Sequence, residues 1–277
     1  MGYIDIARVI RESDNKFLKK LPGFVISILK RIIREREINE ILDRCTGMEG
    51  FPFLVKMIDE FKLKLEVEGK ENLPETSRCI FAANHPFGVI DGLIITHTVA
   101  EKYGSLKAIG NDAFMFVEPL RPFIFSVNVY GSNTKERIAA LDELYASDTA
   151  ITHFPAGEVS RRYDGKIQDC VWQKSFVSKA VSHKRDIVPI HFIGKNSRLF
   201  YFVSDFRKLL GIKMSLELML LPNEMLNKKG KTIRVIIGKP ISSLTLDKKV
   251  THQEWTNKIR AYIYALGTSQ QKDFINF

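Results

Sequence analysis

Leu18, Leu21, Val25, Ile28, Leu29, Ile32 and Ile33 recur at steps of mostly three and four, the period of a helix with one apolar side. Pro22 is tolerated near the first turn of such a helix, and Lys19, Lys20, Lys30, Arg31 and Arg34 fall to its wet side or margins. Phe51, Leu54, Met57, Ile58 and Phe61 repeat the spacing in a shorter stretch. From Leu63 onward the pattern changes. Lys64–Glu68 alternates polar and apolar, as a half-buried strand does. Compact apolar runs follow at Cys79–Ala83, Lys107–Ile109, Ser126–Tyr130, Ala150–Phe154, Ile187–Ile193 and Thr232–Ile237. Helical spacing fills Ile90–Tyr103, Lys135–Ala146, Val171–His183, Leu199–Leu210 and Gln253–Leu266. Strands separated by helices predict an α/β fold, a mixed sheet flanked by helices. No Pro/Gly/Ser-rich linker divides this region. The expected organisation is an N-terminal amphipathic helical arm over residues 1–62 and one α/β domain over residues 63–277. An apolar side beside a basic one suits a helix lying in a membrane interface, and equally an arm packed on its own domain.

Composition narrows the class. Hydrophobic residues make up 45% of the 277, which excludes a disordered chain. The apolar stretch Leu21–Leu29 is far too short to span a bilayer. Asp5, Arg8, Arg11 and Glu12 are foreign to a secretory signal, and Ile6 stands where a myristoylation signal needs Ser or Thr. Cys45, Cys79 and Cys170 form no pairing or metal-binding pattern and read as reduced core thiols. These features predict a cytoplasmic protein held peripherally at the inner face of the cytoplasmic membrane. The net charge is +10, and residues 195–277 carry 15 Lys/Arg against 6 Asp/Glu, nearly all of the surplus. A basic face attracts an anionic membrane surface, an acidic carrier protein or nucleic acid. The basic segments lack interleaved aromatic residues and any nucleic-acid motif, so no nucleic-acid partner is expected.

Two stretches carry candidate chemistry. Asn84-His85-Pro86-Phe87-Gly88-Val89-Ile90-Asp91-Gly92 follows the apolar run Cys79–Ala83 and opens a helix. In an open α/β sheet, loops at the carboxyl ends of strands build sites. Asp91, in the first helical turn, is favoured as an anion by the helix dipole. Folded back onto His85, it would hold one ring nitrogen protonated and leave the other as a base. The plainer alternative is a turn histidine with Asp91 as a helix-start residue. The second stretch, Phe154-Pro155-Ala156-Gly157-Glu158-Val159-Ser160-Arg161-Arg162, also follows a strand. Gly157 permits close backbone approach, with its N–H or a neighbour's available to an oxyanion, and Arg161 and Arg162 suit a carboxylate or phosphate. Taken alone it is a solvated basic turn. His191, inside the Ile187–Ile193 run, reads as a core or lining histidine, and Lys228–Lys231 as a solvated loop first and an anion-docking patch second. Nothing has zinc spacing.

Asn84-His85 through Asp91-Gly92, then Phe154-Pro155-x-Gly157, then Ile187-Val188-Pro189-Ile190, resembles the glycerolipid acyltransferase superfamily over roughly residues 63–243. Two departures, five residues between His85 and Asp91 instead of four and Ala156 in place of Glu, resemble its bacterial hemolysin-like branch of ornithine- and aminoacyl-lipid O-acyltransferases. Residues 119–133 sit where the second block belongs but lack its closing acid–Arg pair.

The resemblance implies direct transfer of a fatty acyl group from an acyl thioester to the hydroxyl of a monoacylated, ornithine- or glycine-type lipid. In that scheme His85 is the general base and Asp91 orients it. Gly157 is a candidate oxyanion donor, and Asn84, Glu158, Ser160 and Arg161 join it in holding the substrates. The donor would be a thioester of acyl carrier protein or coenzyme A, the acceptor a lysolipid, with no metal or other cofactor. A lysophosphatidate or glycerophospholipid acyltransferase, and a non-catalytic peripheral membrane protein, are the alternatives.

Overall fold

All five residues of Cys79–Ala83 are buried, because this strand lies in the middle of the sheet with helices on both faces. The structure is a computed structural model that describes residues 4–12, 18–111, 117–127, 134–268 and 273–274. Among the described residues, four α-helices come first: α1 (Ile6–Glu12), α2 (Gly23–Ile33), α3 (Glu35–Asp43) and α4 (Gly50–Glu60). Then follow β1 (Lys64–Glu68), β2 (Cys79–Ala83), α5 (Val89–Tyr103), β3 (Leu106–Asn111), β4 (Ile124–Val127), α6 (Lys135–Ala146) and β5 (Ala150–His153). The chain continues through β6 (Arg161–Tyr163), β7 (Lys166–Gln168), α7 (Ser175–Ser182), β8 (Asp186–Ile193), α8 (Arg198–Leu209), α9 (Leu221–Leu226), β9 (Thr232–Ile237) and α10 (His252–Leu266).

Among the described residues, seven strands form one sheet in the order β1-β9-β8-β2-β5-β3-β4. Its pairs are parallel except β8 with β9. The sheet is therefore mixed and mostly parallel, the α/β architecture expected. β6 and β7 form a separate antiparallel hairpin. Asp164 and Gly165, both at positive φ (49° and 74°), make its two-residue turn.

The period-2 alternation of β2 divides the core. Cys79, Phe81 and Ala83 face a cluster built with Leu54, Phe61, Ile94 and Val99, whereas Ile80 and Ala82 face Trp172, Phe176, Ile259 and Ile263 on the other side. α3 and α4, on the arm side of the boundary expected at residue 62, bury Ile38, Ile41, Leu42, Phe53 and Leu54 in the first of these clusters. α2 buries no residue. The helix expected over 18–33 divides at Pro22, with a 3-10 turn at Leu18–Lys20 before it. Of the strand expected over 126–130, residues 126 and 127 belong to β4, and 128–130 lie outside the described residues. The helix expected from Val171 begins at Ser175. Cys45 and Cys79 are buried and Cys170 half-buried, all unbridged.

His191 is a core histidine, as its strand position suggested. Its ring packs edge-on against Tyr264 of α10 (centroids 5.6 Å apart), and burial pushes its pKa down to about 4. An unfolded histidine titrates near 6.5, so between the two values the unfolded chain binds more protons and stability falls with falling pH. The loss reaches roughly 3 kcal/mol below pH 4. Thermal unfolding of wild type and His191→Gln from pH 4 to 7 checks this. The wild type should lose more stability on acidification than the variant; parallel curves would contradict the assignment. The difference also separates His191 from His153, which burial likewise pushes down to about 4.

Candidate active site

β8, β2 and β5 lie side by side and run parallel, so the loops leaving their carboxyl ends converge. These are the Asn84–Asp91, Phe154–Arg161 and Gly194–Ser197 segments, and the site is built where they meet.

Asp91 is the third residue of α5 and fully buried. One carboxylate oxygen, Oδ2, accepts from the amides of Phe87 (2.8 Å) and Gly88 (3.0 Å) and stands 3.0 Å from His85 Nδ1. Five intervening residues let the chain pass the helix cap at Gly88, whose φ of +86° suits glycine, and return the carboxylate to the ring. Burial pushes the Asp91 carboxyl up from its ordinary range, against the histidine and the two amides, which favour its anion. An acceptor at Nδ1 fixes the proton there and leaves Nε2 as the basic nitrogen. The His85 ring is partly exposed and stacks on Phe154, centroids 4.0 Å apart. The arrangement can take a proton from a hydroxyl and stabilise the resulting imidazolium.

The other expected site residues fall into different positions. Asn84 is buried, and its amide exchanges two hydrogen bonds with the backbone of Phe192 (3.0 and 2.7 Å). It fastens β2 to β8 at the base of the site. The Gly157 N–H donates to the Phe154 carbonyl at 2.9 Å, so this amide is engaged in a turn that the φ of +68° permits. In this conformation the amide serves the turn, while the residue itself stays exposed. Ser160 is buried, its amide donating to the His85 carbonyl (2.8 Å) and its hydroxyl to Asp169.

Arg161 is no solvated turn residue. It is fully buried on β6, with Nε 2.7 Å from Glu217 and Nη1 bonded to the Val159 carbonyl and to Glu158 (2.7 and 2.9 Å). Glu158 is half-exposed and also accepts from the Tyr163 hydroxyl (2.7 Å). Lys229 and Lys231 are exposed on their loop as expected, whereas Lys228 is half-buried: its ammonium stands 4.5 Å from the Phe87 ring centroid and donates to the Lys195 carbonyl (2.8 Å). Burial pushes its pKa down, while Glu224 and Asp91 act in the opposite sense. Gly194, at φ +148°, leaves room for the Phe87 ring, which a Cβ there would overlap.

Sequence reasoning missed Asp169. This buried carboxylate accepts from the His85 amide (3.2 Å), the Ser160 hydroxyl and Trp172 Nε1 (2.9 Å), and so ties the first loop to the second. Its own amide donates to the Tyr264 hydroxyl (2.8 Å). A signal existed. Asp164-Gly165 is a two-residue hairpin turn, and the register it sets pairs Arg161 with Gln168, which brings Ser160 opposite Asp169. Asp169→Asn puts an NH₂ group against one of three donors. It should lower stability by about 1–3 kcal/mol and turnover by about tenfold through displacement of the His85 loop. Thermal unfolding and initial rates check both; wild-type values in each would show that the cluster neither supports nor aligns the loop.

A family model described as acyltransferase matches residues 8–272 of the chain. A lyso-glycine lipid O-acyltransferase from Phocaeicola vulgatus is 37% identical over 264 residues, covering 95% of this chain and 95% of that protein. A protein of the same name from Bacteroides thetaiotaomicron is 36% identical over 264 residues, covering 95% of this chain and 97% of its own length. Among solved structures, the 1-acyl-sn-glycerophosphate acyltransferase of Thermotoga maritima superposes with a TM-score of 0.49 at 16% identity, over 90% of this chain and 95% of that one.

Proposed function

The chain belongs to the acyltransferase family and is an acyltransferase, and on that premise we propose that its acceptor is the hydroxyl of a monoacylated glycine lipid and its donor an acyl thioester. The observation that carries the mechanism is the His85 Nδ1–Asp91 Oδ2 contact of 3.0 Å at the carboxyl end of the central strand. The relatives named for lyso-glycine lipid acyl transfer support the acceptor.

His85 Nε2 takes the hydroxyl proton as the acceptor oxygen attacks the thioester carbonyl. The tetrahedral intermediate collapses, the carbon–sulfur bond breaks, and the imidazolium returns the proton to the leaving thiolate. Asp91, ionised, stabilises the imidazolium throughout. An ester forms, a thiol leaves, and no acyl-enzyme is involved. Such a base contributes about 10²–10⁴-fold. The thiol belongs to acyl carrier protein or coenzyme A. Either is acidic and suits the positive surplus of residues 195–277. The protein works at the inner face of the cytoplasmic membrane, where its acceptor resides. Among the described residues, no helix is long and apolar enough to cross a membrane.

The test crosses thioesters of acyl carrier protein and coenzyme A with lyso-glycine lipid, lyso-ornithine lipid and lysophosphatidate, with products read by mass spectrometry. Diacylated glycine lipid as the main product is expected. Product from lysophosphatidate alone would overturn the acceptor while keeping the reaction.

A further inference from the structure

α8 has an outer apolar stripe that the core does not use. Its inner side buries Phe200, Tyr201 and Ser204. Leu199, Phe202, Phe206 and Leu209 are exposed, and at 100° per residue they share a sector of about 80°. Phe202 is 62% and Leu209 81% exposed, and the Phe202 and Phe206 rings stack at 5.8 Å. α2 is built the same way, with Phe24 68% exposed and Ile28 and Ile32 exposed one and two turns on. The two stripes meet: Ile28, Arg31 and Ile32 of α2 line one open groove of ≈ 510 Å³ with Leu199 of α8 and with Leu220. Next to Leu220, the Leu221 side chain packs within 3.1 Å of where a Cβ on Gly88 would stand. The segment that lines the groove at Leu220 thus continues onto the loop that carries His85 and Asp91.

Exposed cations border this apolar face: Arg31 on α2, Arg198 at the start of α8 and Lys213 beyond its end. The nearby Asp205 is paired with Arg162. An apolar centre with a basic margin complements an anionic lipid surface. A two-fold pairing of the same face would instead bring these cations against their own copies.

We propose that α8 and α2 together form the face by which the protein docks on an anionic lipid bilayer, with Phe202, Phe206 and Leu209 entering the interface and the groove opening onto lipid. The proposal rests on the lipid-acceptor reading only for its purpose, since an acceptor dissolved in the membrane gives the face its use.

The test is sedimentation of the full chain with phosphatidylcholine vesicles, with and without phosphatidylglycerol, none containing acceptor. Binding thus stands or falls separately from acceptor identity. Wild type should bind the anionic vesicles. The F202S/F206S/L209S variant, all three positions being exposed, should unfold at the wild-type temperature and bind about tenfold or more weakly. R31E/R198E should lose binding to anionic vesicles in the same way. Leu244→Ser is the control. Leu244 is 85% exposed beside Ser243, which bonds Asp186 at the start of β8, the opposite end of the sheet from the site. It should change nothing. With acceptor present, turnover on vesicles should fall with binding in the triple variant, while turnover in detergent micelles holds. Undiminished binding by the triple variant, or no binding by wild type, would overturn the proposal. A wild-type dimer that the triple variant turns into a monomer, with vesicle binding kept, would assign the face to a second copy of this chain.

Discussion

Asp91→Asn is expected to lower kcat by about 10²–10⁴-fold while leaving the fold and both KM values close to wild type. The asparagine oxygen can take the place of Oδ2, which receives the Phe87 and Gly88 amides and His85 Nδ1. Its NH₂ group then occupies the place of Oδ1, for which no protein partner exists among the described residues. Helix start and ring tautomer survive; the negative charge that stabilises the imidazolium does not. Initial rates and thermal unfolding on the same preparations separate the two roles. Unchanged kcat would reduce Asp91 to a helix-start residue, and a collapse of stability would mean that its charge serves folding first.

Glu217→Gln is expected to cost about 3–5 kcal/mol of stability, the largest structural effect of a single change near the site. Glu217 is fully buried between Arg161 (2.7 Å) and Arg207 (2.5 and 2.9 Å). Burial alone would raise its carboxyl, but the two guanidiniums hold it below the ordinary range. Without that anion, the fully buried Arg161 keeps only the Val159 carbonyl and the half-exposed Glu158. A chain of this size should melt about 10 °C lower. The triple change Arg161→Met, Arg207→Met, Glu217→Leu should recover much of the loss, because it removes the buried anion together with both guanidiniums that face it. A Glu217→Gln melting point equal to wild type would show that the triad is dispensable to the fold.

The sequence carried the strands and the first loop well, for local reasons. Five buried residues in a row mark a central strand, and a histidine at its exit with a carboxylate in the next helical turn is a short-range pattern. The burial of Arg161 was not legible because the buried carboxylate it meets, Glu217, is 56 residues away, while its near partner Glu158 is half-exposed. Periodicity gave α8 its helix but not its two faces. Which stripe the core covers depends on Val159 and Leu221, which reach it from distant segments. The arm posed the same difficulty. Its first amphipathic stretch stays on the surface as α2, while α3 and α4 enter the core beside Phe81, a distinction that depends on what packs there.

The central claim is that His85 is the base for direct acyl transfer to a lipid hydroxyl. It is tested most directly by product formation from acyl thioester and lyso-glycine lipid, wild type against His85→Ala, with matched circular dichroism. Wild type should give a lipid heavier by one acyl ester, and His85→Ala should fall to background. Full turnover by a folded His85→Ala protein would contradict the account.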